Sequence, residues 1–173
     1  MTKKIGTLQL YKIARCPLIL ALLLIISAAC TGATLNNTEV AAVKVPILHA
    51  LAGDLSVSGL ISLPKQQRTK PIGYLASQQQ LDEVMRYFQT HATLLPAVDF
   101  TTQLVLFARN TVYYNRLSIV AVDLVGDTLK VVSVSTLSAM PIQKRVAMSL
   151  VVIPRQGAKY LDVAGEKTRI DSF

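Results

Sequence analysis

The chain has 173 residues, 51% of them hydrophobic, and its 18 Lys and Arg against 10 Asp and Glu give a formal charge of +8. Four of the basic residues, Lys3, Lys4, Lys12 and Arg15, crowd the start of the chain, so half of the excess is local to it. The remainder is an ordinary solvated surface, which excludes nucleic acid as the expected partner, because that would need a basic face on the folded domain.

Residues 18–26 are an unbroken apolar run, followed by Ser27-Ala28-Ala29 and then Cys30. A basic start, an apolar stretch short of the ~20 residues a spanning helix needs, and small residues at its end make an export signal. The cysteine at its close resembles a bacterial lipoprotein signal; Ala28 and Ala29 fit the lipobox, and Ser27 stands where Leu is usual. The resemblance implies removal of residues 1–29 as signal peptide and lipidation of Cys30 with a diacylglyceryl group and a palmitate-like acyl chain. One chain holds a protein to a bilayer only marginally, and two or more hold it stably. The domain would then face the periplasm or the exterior from the cell membrane or the outer membrane. Thr31, in place of the Asp that retains many such proteins in the inner membrane, favours the outer one. Cys16 leaves with the signal, so no thiol remains for a disulfide, a zinc site or a nucleophile.

Residues 30–38 read as a lipidated tether, small and polar after the cysteine. Residues 39–173 are the length of a single domain that buries a core without staples. Two short strands are expected at 43–48 and 56–63, with a helical turn as the alternative at 49–52. Lys65 to Lys70 (KQQRTK) reads as a solvated basic loop rather than a patch for anionic lipid.

Ser77 and Gln80 form a capping-box pair, and Leu81, Val84, Met85 and Phe88 follow at helical spacing. They predict an amphipathic helix that ends near residue 90, with its stripe in the core and Asp82 and Arg86 paired on the surface. Beyond Pro96 the pattern turns to β. Asp99 is expected to accept backbone N–H groups and fix a turn. Residues 104–108 form a short apolar run, and 116–124 and 128–136 flank Gly126-Asp127 as a type II′ hairpin. Val146, Met148, Leu150 and Val152 suggest a half-buried strand ending at Pro154, and 167–170 a short edge strand. The expected fold class is α+β, one amphipathic helix packed on a mostly antiparallel sheet.

Residues 74–155 resemble the C-terminal domain of the protease complex subunit PrcB family. The resemblance rests on the Ser-capped helix, Leu95-Pro96-Ala97-Val98-Asp99-Phe100, an apolar strand and a hairpin. Met140-Pro141 and the closing Leu150-Val151-Val152-Ile153-Pro154-Arg155 complete it. The family commonly has a Gly-Gly-Tyr-like step before the hairpin, where this chain reads Asn110-Thr111-Val112-Tyr113-Tyr114-Asn115. It implies an accessory, non-catalytic role beside a protease and carries over no catalytic residue.

The chain's histidines, His49 and His91, stand in no nucleophile or metal-ligand spacing, and there is no Gly-x-Ser-x-Gly elbow or Gly-rich phosphate loop. No catalytic residue, metal site or cofactor is therefore expected. Tyr113, Tyr114, Asn115 and Arg116 are the best partner-binding candidates, because aromatics beside an arginine are typical interface anchors. The expectation is a non-catalytic, lipid-anchored binding or accessory module with a protein partner in the cell envelope. The alternatives are a structural envelope lipoprotein without a dedicated ligand, and a small hydrolase with His49 or His91 beside a Ser and a carboxylate.

Overall fold

A computed structural model describes residues 41–90, 95–137 and 140–170. The signal, Cys30, the tether and His91 lie outside the described residues.

Ten strands form two five-stranded sheets. The first sheet joins β1 (Ala42–Lys44), β6 (Leu117–Val125), β7 (Thr128–Ser135), β9 (Tyr160–Val163) and β10 (Glu166–Arg169), in that order. Its one parallel pair is β7 with β9. The second sheet is antiparallel throughout and runs β3 (Ile72–Leu75), β5 (Gln103–Arg109), β8 (Arg145–Pro154), β2 (His49–Ser56) and β4 (Phe88–Gln89). The one α-helix among the described residues, α1 (Gln78–Met85), lies with a 3-10 segment (Val57–Ser62) over the outer face of that second sheet. The coarse α+β expectation holds, with two sheets where one was expected.

Strands β5 and β8 hold the layers together. Leu104, Leu106, Val151 and Ile153 point into the core between the sheets, while Val105, Phe107, Leu150 and Val152 point into the core beneath α1. A strand buried on both faces reads as a near-continuous apolar run, and both strands do, with Ser149 of β8 the one polar residue in it. The half-buried reading of 146–152 is corrected accordingly, since Val146 to Ile153 are all buried.

Helix α1 starts as its cap dictates. Ser77 Oγ accepts the Gln80 N–H at 3.3 Å, and Gln80 Oε1 accepts the Ala76 N–H at 2.8 Å. Leu81 and Val84 are buried beneath it. The helix stops at Met85, short of residue 90, because Phe88 pairs with Leu55 and Tyr87 O accepts the Ser56 N–H. The expected Asp82–Arg86 pair gives way to Gln78, whose amide donates to Asp82 at 2.7 Å.

Residues 56–63, expected as a strand, turn into the 3-10 segment. Ser56 Oγ caps it by accepting the Gly59 N–H at 3.0 Å. The strand lies just upstream, as β2, where a helical turn was the alternative. Lys65 to Lys70 is more than a wet loop: Gln67 is buried, and its Oε1 accepts the Tyr74 N–H at 2.6 Å. That bond covers the outer edge of β3, and it fits because Gly73 has no Cβ to fill the space Gln67 Oε1 occupies.

The hairpin forms at Gly126-Asp127 as expected, with Gly126 at φ 64° and Asp127 outside the left-handed region. The Asp127 carbonyl then accepts N–H groups from Lys159 and Tyr160 at 2.8 and 3.1 Å, which brings β9 alongside β7. Asp99 anchors its turn as expected. Its carboxylate accepts the Thr101 N–H at 3.0 Å and the Thr101 and Thr102 hydroxyls at 2.6 and 2.8 Å. These bonds, the side-chain hydroxyls foremost, hold its pKa below the ordinary aspartate value.

Candidate cleft on the open flank of the sandwich

The first sheet does not cover all of the second. On the β2 face that looks toward it, Ala50 and Ala52 are exposed although their β8 partners, Val151 and Ser149, are buried. Beyond that uncovered flank lies an open cleft of about 650 Å³. Ala52, Gly53 and Ala147 line it from the second sheet, Tyr114, Arg116, Leu117 and Ser118 form one wall, and Gln89 and Thr90 line it from β4 and the residue after it. Gly53 is required there, because a Cβ would run into Gln89 O and sit 3.0 Å from the Phe88 ring.

A polar cluster stands at one end. Asp54 faces the flank on β2 opposite Ala147. The Tyr114 hydroxyl reaches across from the other sheet's approach segment, 2.8 and 2.7 Å from the two Asp54 carboxylate oxygens. Arg145 Nη1 lies 3.9 Å from Asp54 Oδ2 with its side chain 58% exposed. The hydrogen bond to Asp54 is the largest cause pushing the Tyr114 phenol above its ordinary pKa, with burial and the carboxylate charge adding to it and Arg145 and Arg116 opposing. The phenol is thus held neutral as a donor, and the carboxylate is occupied by it.

The four candidates divide. Tyr114 and Arg116 line the cleft, whereas Tyr113 and Asn115 do not. Tyr113 is 48% exposed and bridges to Pro141, and the Asn115 carbonyl accepts the Asn110 side-chain amide. Asp54, Gln89 and Arg145 were missed by sequence reasoning. The three come from separate strands, β2, β4 and β8, which no local pattern links. His49 opens β2 and is exposed. Among the described residues it makes no hydrogen bond to a Ser or a carboxylate, and no group of three or more His, Cys, Asp or Glu could hold a metal ion. No helix among the described residues is long and apolar enough to cross a membrane.

Comparisons with family models, curated proteins and solved structures give no match.

Proposed function

We propose that the protein is an exported, lipid-anchored, non-catalytic binding or accessory module of the cell envelope. The anchor reading draws on Cys30 behind its basic and apolar leader. The binding reading draws on one observation, the open cleft whose lining offers Tyr114, Arg116, Arg145 and Gln89 to a ligand. A concave, partly apolar site with a few convergent polar groups is the usual form of a binding surface. The accessory character draws on the resemblance of residues 74–155 to the PrcB family, which brings a partner protein and no catalytic residue.

Cys30→Ala tests the anchor. The variant is expected to move from membranes to the soluble fraction and to take up no palmitate label. Retention of the variant in membranes, with no label on the wild type, sinks the lipoprotein reading. Mild crosslinking in membranes followed by purification is expected to yield one stoichiometric partner; its absence favours a purely structural envelope protein.

A further inference from the structure

A second depression of about 230 Å³, lined by Met140, Pro141, Gln143 and Lys144, adjoins the cleft, and Tyr114 and Arg145 belong to both. The two depressions meet at Tyr114 and Arg145, and together they are treated as one groove. Its exposed charges are Arg116, Lys144 and Arg145, all cationic. The acid of the groove, Asp54, is held by the Tyr114 hydroxyl and by Arg145. The groove therefore presents a surplus of positive charge, on a domain whose residues 39–173 carry 14 Lys and Arg against 10 Asp and Glu.

We propose that this groove binds an extended, acidic peptide segment of a partner protein; the proposal rests on the binding-module reading above. Charge complementarity selects the acidic character. Arginine forks pair with carboxylates in two parallel hydrogen bonds, and Arg116 and Arg145 both line the cleft. Ala52, Gly53 and Ala147 add small residues to the lining, which leave room for an extended chain, and Gln89 can meet its main-chain groups. Met140, which lines the second depression, and its backbone neighbours Val112 and Tyr113 are 63%, 62% and 48% exposed. Backbone pairing of 112–114 with 140–142 holds them together: Tyr114 N donates to Met140 O at 2.8 Å and Ile142 N to Val112 O at 3.4 Å. They offer an apolar anchor point beside the cations, so the segment would carry an apolar residue next to its acids.

The test uses the full chain in its own membrane, with the photoreactive residue p-benzoylphenylalanine replacing exposed Ser118 on the groove wall. Irradiation is expected to attach it to a protein segment rich in Asp and Glu, in a yield that falls as salt is raised. Adding Arg116→Glu with Arg145→Glu is expected to cut the yield about tenfold. The charge-matched pair Arg86→Glu with Arg169→Glu, at the C-cap of α1 and on β10, is expected to leave it unchanged. Attachment to lipid, to glycan or to a segment without acidic enrichment overturns the proposal, as does a yield indifferent to the groove substitutions. If Ser118 captures nothing while membrane crosslinking still retrieves a partner, the groove assignment falls and the module reading stands. If the wild type retrieves no partner by either route, both fall.

Discussion

Tyr114 joins a segment leading into the first sheet to a carboxylate on the second, across 60 positions of chain. Its hydroxyl is a donor only while protonated, and Asp54 raises its pKa above the ordinary 10.0. A group whose folded pKa is raised stabilises the fold in full below the unfolded value and loses that contribution as pH climbs through the folded one. Tyr114→Phe is therefore expected to lower stability at neutral pH by about 1 kcal/mol, the modest figure reflecting solvent screening. The gap between variant and wild type should close in the alkaline range above the ordinary tyrosine value. Thermal melts of both proteins across pH check this, and a gap that persists unchanged there would argue against the Tyr114–Asp54 bond as its source. Tyr114 was legible as a candidate from the Tyr-Tyr-Asn-Arg run, but its partner was not, because no local pattern links positions so far apart.

Among the elements, β6 shows how one irregularity is absorbed. Its ladder with β7 shifts register between Ile119 and Ala121, leaving Val120 as the extra residue. The Ile119 N–H turns to Ser149 Oγ of β8 at 3.2 Å, a buried bond between the two sheets. This is why a serine lies in the otherwise apolar run of β8. Ser149→Ala would leave that N–H without its partner and is expected to cost about 1–3 kcal/mol, measured by denaturant unfolding. A cost near zero would mean that the serine is only a small space-filler. The outer face of the same sheet carries a row of alternating charge, Lys44, Asp123, Lys130, Asp162 and Lys167, each directly opposite the next across five strands. Opposite charges in register favour this pairing over slipped ones. The hairpins around Gly126 and the capped start of α1 were readable because turn and cap chemistry act within a few residues. Strands β3 and β9 were not, since each is only four residues long. They are held by tertiary partners, β3 by Gln67 and β5, β9 by the Asp127 carbonyl.

Across the whole molecule, β5 and β8 serve two cores at once, one between the sheets and one beneath α1. Leu106→Ala touches the first and Leu150→Ala the second, and both side chains are fully buried. Each is expected to cost about 2–5 kcal/mol. Because the same strands line both cores, each substitution should lower a single cooperative transition rather than split it. Calorimetry of the two variants checks this; two resolved transitions in either would mean that the layers unfold independently.

The sequence by itself determined the capped helix, the Gly126-Asp127 hairpin, the Asp99 turn and the apolar runs that became β5 and β8. Each is written in neighbouring residues, through periodicity, capping or the φ a turn demands. Tertiary structure alone decided that the strands divide into two sheets, that α1 stops at Met85, and that 56–63 coils instead of extending. It also decided the groove, where Asp54, Gln89, Tyr114, Arg116 and Arg145 meet from four separate stretches of chain. The reason is physical: a local signal is set by a few backbone angles, whereas a site on an uncovered sheet flank exists only once long-range pairing has fixed what is covered and what is left open.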